Sequence, residues 1–157
     1  DKWELFSNWA ESGQQIKDEL LFLVDEDTRS FNAIMNGFQM PNETEQEKRE
    51  RSEFIEAASV YAAQVPLKVI KTTIKALGLL KEMVVAGNPN SITDAGVGAL
   101  CIAAAAEGAG MNVRINAKGL KNKDLANQLS QETIELVKET KLRVAEIINL
   151  VEIELNK

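Results

Sequence analysis

The stretch GNPNSITDAGVGALCIAAAAEGAGMNVRIN, Gly87 to Asn116, constrains the fold more than any other part of the chain. Its middle is rich in Gly and Ala, with Ser and Cys among them, so neighbouring backbones can approach it closely. It opens on a polar loop and closes on Asn112, Arg114 and Asn116, groups of the kind that grip a polar ligand. Gly96, Gly98, Gly108 and Gly110 each cost a helix interior about 1 kcal/mol against Ala. A penalty of that size implies close helix contact or room for a ligand. Taken alone, the pattern reads first as tight packing in a helical bundle or as a self-association face.

The flanks are helical. Ile16, Leu20, Leu23, Val24, Phe31 and Ile34 recur at helical spacing, which predicts a helix from about Ser12 to Gly37, with Gly37 at the C-terminal stop. Asp25, Glu26 and Asp27 interrupt its apolar stripe. A solvated face suits at least two of the three; a carboxylate just ahead of Phe31 and Asn32 can instead point inward, and periodicity leaves that open. After Met40-Pro41, Thr44 and Glu47 have capping-box spacing for a second helix. Pro66 inside that pattern predicts a kink or a split into two helices. Val69, Leu77, Leu80 and Val84 carry its stripe onward to Ala86.

Gly87-Asn88-Pro89-Asn90 is strong turn chemistry, and Ser91 with Asp94 is a second capping-box candidate. The alanine-rich helix is expected to end near Ala109, with an irregular link at Ala117-Lys118-Gly119. Lys123 to Asn156 then reads as a long amphipathic helix. Val137, Val144 and Val151 are spaced by seven, and Ile134, Ile148 and Leu155 widen the stripe into a bundle or dimer seam. No repeat, low-complexity tract or linker divides the chain. The fold class expected is all-α: a helical bundle with long antiparallel helices, dimer-forming, in one domain over residues 1–157.

Charge and composition narrow the chemistry. A net charge of -6 offers nothing to nucleic acid or an anionic membrane surface. There is no His, which removes imidazole acid–base chemistry, Ser-His-Asp triads and histidine metal sites. No metal site is expected. The single Cys101 excludes an intrachain disulfide, reads as a small core residue, and fits a reducing, cytoplasmic setting. The apolar run Ala95 to Ala106 is too short and too interrupted by glycine to cross a bilayer. The chain starts at Asp1 rather than Met, as a fragment would.

A set of pieces in fixed order goes further than periodicity. Asp25-Glu26-Asp27 with Phe31-Asn32, Met40-Pro41, Val65-Pro66-Leu67, Gly87-Asn88-Pro89-Asn90-Ser91, Thr93-Asp94-Ala95-Gly96 and Asn112-Val113-Arg114-Ile115-Asn116 together resemble the cyclodeaminase/cyclohydrolase family. The resemblance covers essentially the whole chain. It implies a helical, dimer-forming domain acting on folate one-carbon units. Its members are formiminotetrahydrofolate cyclodeaminases, which convert 5-formiminotetrahydrofolate to 5,10-methenyltetrahydrofolate and ammonia in histidine degradation, and methenyltetrahydrofolate cyclohydrolases. The family opens with a glycine-rich loop and a first apolar helix ahead of the region that begins here at Asp1, so the resemblance implies that both lie outside this sequence.

Cyclodeamination requires N10 of the folate to attack the formimino carbon on N5 and ammonia to leave, so a positioned acid is the central need. Without His, a carboxylic acid in an apolar surround is the natural donor. The resemblance implies that Asp27 is that acid; read without it, Asp27 is a solvated helix-face residue. Asp94 is a second carboxylate, as suited to capping as to catalysis or to orienting the pterin edge. Asn88, Asn90, Asn112 and Asn116 can donate and accept together, which fits a pterin ring, although each alone is an ordinary turn residue. Arg114 can hold the glutamate carboxylates of a folate tail, or serve a surface or interface ion pair. The resemblance implies a tetrahydrofolate derivative as substrate, no further cofactor, and a homodimer. The competing class is a non-catalytic helical assembly protein.

Overall fold

The structure is a computed structural model and describes residues 2–157. Four long helices fill it: α1 (Lys2–Gln39), α2 (Glu45–Ala86), α3 (Ile92–Lys118) and α4 (Lys123–Leu155), with a single 3-10 turn at Pro89–Ser91 before α3. No strand occurs among the described residues. The all-α expectation holds.

Cross-helix pairs fix the directions. Glu19 meets Lys75 while the Gly37 carbonyl meets Arg51, so α1 and α2 run antiparallel. Asn116 meets Ala62 and Gly98 sits against Leu80, which makes α2 and α3 antiparallel. Gly96 faces Val151 and Gly110 faces Thr133, so α4 turns back along α3. Lys71–Glu132 and Lys81–Glu146 then join α2 and α4 in parallel.

α2, α3 and α4 hold the core in two stacked layers. Ile70, Val113, Ala117 and Leu120 are fully buried in one; Leu77, Ala99 and Ile147 centre the other. The alanines of α3 let α2 and α4 close on it from both sides. α1 packs chiefly along α2 and buries only Leu23, Ser30 and Gly37.

Several local expectations change. α1 begins at Lys2 rather than near Ser12, because Phe6, Trp9 and Gly13 extend its helical spacing and the Phe6 and Trp9 rings pack 5.4 Å apart. Gly37 does not stop the helix, which runs to Gln39; no glycine among the described residues has positive φ. Its lack of a side chain serves approach instead, since a Cβ there would lie 2.7 Å from Ile55 Cγ1. α2 does not split at Pro66. α3 continues past Ala109 to Lys118 because Val113 and Ala117 prolong the buried stripe. The Thr44–Glu47 capping box forms as the spacing predicts, with Thr44 N donating to Glu47 Oε2 at 2.8 Å and Glu47 N to Thr44 Oγ1 at 3.2 Å. The Ser91–Asp94 box does not: Ser91 has φ -108° and ψ 14° and makes no side-chain cap. Asn88 caps the 3-10 turn in its place, accepting from Asn90 N at 3.1 Å.

Val144 and Val151 lie inside the chain's own core, so the seven-residue spacing marks an internal seam. Cys101 is exposed rather than in the core, because Ala99 and Ala106 take the inward face of α3 and Cys101 lies to the side. By length and composition alone Pro89–Lys118 would be able to cross a membrane, beyond what the shorter run Ala95–Ala106 suggested. In the fold it is the central helix, with its buried face between α2 and α4.

Candidate functional site

The acidic triplet of α1 separates because successive residues of a helix point about 100° apart. Asp25 faces solvent. Glu26 turns to α2, where its carboxylate accepts from the Tyr61 hydroxyl and pairs with Arg29; its side chain is only 14% exposed. Asp27 points into a cleft between α1, α2 and α3 with a volume of about 450 Å³. Leu20, Leu23 and Val24 line it from α1, Val65, Pro66 and Val69 from α2, and Ala105, Ala109 and Asn112 from α3.

The polar groups in this cleft are few. The Thr28 hydroxyl is turned back to the Val24 carbonyl at 3.4 Å. Ser30 Oγ donates to the Asp27 backbone carbonyl at 2.8 Å and fixes the turn that presents its carboxylate. Neither the Asp27 carboxylate nor the Asn112 amide has a hydrogen-bond or ion-pair partner among the described residues. An acid and an amide without partners, on opposite helices of a mostly apolar cleft, can exchange a proton with a bound group and orient it. Asp27 is exposed at the cleft mouth, so its apolar enclosure is one-sided.

The other candidates lie elsewhere. Asn88 lines a separate apolar pocket of about 450 Å³ with Phe6, Trp9, Lys17 and Met83, at the opposite end of α1. Gly13 in that pocket and Asp27 are separated by about 21 Å of helix rise. Asn90 is exposed, and its N–H is taken by Asn88. Asp94 is exposed in the first turn of α3, where a carboxylate suits the helix dipole, and stands about 27 Å of helix rise from Asn112. Arg114 lies in a third groove of about 270 Å³ between α3 and α4, beside Glu107, Lys138 and Lys141, with its Nε on the Gly110 carbonyl at 3.4 Å. Asn116 donates through Nδ2 to the Ala62 carbonyl at 2.8 Å. One chain therefore brings Asp27 and Asn112 together and keeps Asp94, Asn88, Asn90 and Arg114 apart from them. Among the described residues no group of three or more His, Cys, Asp or Glu converges to hold a metal.

Two neighbours of this cleft escaped sequence reasoning. Tyr61, the only tyrosine of the chain, reaches Glu26 next to Asp27. Pro66 forms cleft wall, although the helical pattern gave it only a kink or split and the Val65-Pro66-Leu67 motif gave it no role in a site. Tyr61 and Val65 share a face of α2 at a spacing of four, a signal that becomes useful only once α1 is known to lie against that face.

A family model described as formiminotransferase-cyclodeaminase matches residues 1–135. The chain belongs to that family. It is a cyclodeaminase/cyclohydrolase family of folate one-carbon metabolism. Over 122 residues the chain is 31% identical to the methenyltetrahydrofolate cyclohydrolase of Methylorubrum extorquens, covering 78% of this chain and 59% of the relative. Over 138 residues it is 30% identical to the formimidoyltransferase-cyclodeaminase of Gallus gallus, covering 88% of this chain and 26% of that larger protein. The chain thus spans little more than half of the first relative and about a quarter of the second. The crystal structure of formiminotetrahydrofolate cyclodeaminase from Thermotoga maritima matches with a TM-score of 0.70 at 21% identity, over 93% of this chain and 67% of that one. This likeness bears on the fold and confirms the bundle as the family's architecture.

Proposed function

We propose that the α1/α2/α3 cleft converts 5-formiminotetrahydrofolate to 5,10-methenyltetrahydrofolate and ammonia, with Asp27 as proton donor. The observation that carries this reading is the pairing of the unpartnered Asp27 carboxyl with the Asn112 amide across one apolar cleft. N10 attacks the formimino carbon and forms the new C–N bond, and the tetrahedral centre then releases its exocyclic nitrogen. That nitrogen leaves as ammonia only after gaining two protons: N10 gives up its own as the new C–N bond forms, and Asp27 supplies the other at the cleft mouth. Asn112 orients the ring system by donating and accepting at once. Val65, Pro66 and Ala109 keep water from the reacting carbon, which in this reaction must be captured by N10 instead.

A second reading, methenyltetrahydrofolate cyclohydrolase, is favoured by the likeness to the Methylorubrum extorquens protein. There the same cleft admits one water to the methenyl carbon: Asp27 takes one of its protons, and the carbon–N5 bond then breaks with the other proton passing to N5, leaving 10-formyltetrahydrofolate. A homodimer is the assembly proposed in either case, and a second copy is the route by which Asp94, Asn88, Asn90 or Arg114 would reach the same ligand.

Incubating the full chain with each substrate, and following methenyltetrahydrofolate absorbance with ammonia release, separates the two reactions. Asp27→Asn is expected to abolish turnover while preserving tetrahydrofolate binding and, because Asp27 is exposed, to move stability by less than about 0.5 kcal/mol. Full activity in this variant moves the acid elsewhere. A folded chain that turns over neither substrate leaves the helical assembly protein as the better description.

A further inference from the structure

Proline at position 66 has no N–H to offer the carbonyl one turn back, so the Ala62 oxygen loses its helical partner. Ala62 is 4% exposed, which denies that oxygen water as well. A buried carbonyl left alone at this point would open α2 beside the cleft, where Val65 and Pro66 face Asp27. Asn116 of α3 reaches across and donates Nδ2 to the Ala62 oxygen at 2.8 Å. The amide orientation is fixed by chemistry, since a carbonyl accepts only and must meet the NH₂ end. Asn116 also lies one turn beyond Asn112 on the same face of α3, so this bond ties the Asn112 side of the cleft to its proline wall.

We infer that Asn116 is a positioning residue: its amide replaces the helical hydrogen bond that Pro66 removes and so sets the spacing between the Pro66 wall and Asn112. It does not touch the ligand. Aspartate has the same shape without a donor and would set a carboxylate against a carbonyl, and alanine would leave the Ala62 oxygen buried and alone. The kinetic part of this inference rests on the cleft being the reaction site; the hydrogen-bond part does not.

A double-mutant cycle tests it. Pro66→Ala restores an N–H that can serve the Ala62 carbonyl from within α2, so Asn116 should then become dispensable. In the parent, Asn116→Ala and the isosteric Asn116→Asp are each expected to lower Tm by about 5 °C. In the Pro66→Ala background the same changes should cost less than about 2 °C. The fall in kcat/KM should follow the same pattern: about tenfold in the parent and less than about threefold beside Pro66→Ala. Equal Tm losses in both backgrounds would overturn the hydrogen-bond role. Coupled Tm values with equal kcat/KM losses would overturn the positioning role and return Asn116 to the ligand. If the parent turns over neither folate, the proposed reaction fails by itself, and tetrahydrofolate affinity measured by calorimetry across the six proteins takes the place of kcat/KM with the same outcomes.

Discussion

Gly110 and Gly78 are both glycines inside helices, yet replacing them with alanine should act in opposite directions. Either change brings about 1 kcal/mol of helix propensity. At Gly78 of α2, which is exposed, a new Cβ has nothing within 4 Å, so that gain stands undiminished. At Gly110, buried in α3, a Cβ would lie 3.0 Å from Val137 Cγ2 and 3.3 Å from Thr133 Cγ2. Both neighbours are β-branched and stiff at χ1 in α4, so they cannot swing away and the helix itself must shift. Overpacking of this kind costs about 1–3 kcal/mol, which outweighs the propensity gain and leaves a net loss near 1 kcal/mol. In denaturant titrations at constant m-value, Gly78→Ala should raise the unfolding midpoint and Gly110→Ala should lower it. The corresponding Tm changes are about 3 °C up and about 3 °C down for a chain of this size. Val137→Ala in the Gly110→Ala background should recover about 1 kcal/mol relative to additive expectation. A stabilised Gly110→Ala protein would refute the close α3–α4 approach, and with it the idea that Gly110 serves packing.

Three other measurements probe local features. Glu47 has its carboxyl held below the usual 4.5 by the Thr44 backbone N–H, then by the Thr44 side chain and the Glu43 N–H. A depressed value stabilises the fold above about pH 4.5 and is lost as pH falls through the folded-state value, so Glu47→Gln should flatten the acid limb of a Tm-versus-pH curve. An unchanged limb would remove the capping box from the account. Tyr61→Phe takes one donor from Glu26 but leaves Arg29, so a loss of about 1.5 kcal/mol in urea unfolding is expected, at the low end for a bond to a charged acceptor. No measurable change would mean that the α1–α2 contact at Tyr61 does not hold in solution. Ile70 is fully buried where α2 meets α3, and Ile70→Ala should cost about 3–4 kcal/mol; a loss under about 1 kcal/mol would place the core elsewhere.

The helices, the Thr44–Glu47 cap and the turn at Asn88-Pro89 were open to reading because each depends on residues within a few positions of one another. Class and family followed from the same local record, from periodicity in the first case and ordered motifs in the second. What extended past a single turn was harder. The sequence pattern ends α3 at Ala109 because Asn112, Arg114 and Asn116 look like loop polarity until Val113 and Ala117 are seen packed in the core. Pro66 predicts a break because the group that repairs it sits on another helix, at Asn116.

Sequence by itself determined that this chain folds as long antiparallel helices around a small-residue centre, and that these 157 residues offer no imidazole to a site. Tertiary structure decided which polar residues share a cleft. Asp27 and Asn112 meet because α1 and α3 both lie against α2 near Pro66. Asp94, although a member of the same motif set, is carried away by the rise of α3. Helical spacing fixes the face of each helix that is apolar, but the pairing of faces and the height at which they meet are set by contacts between distant parts of the chain, and it is there that the site is made.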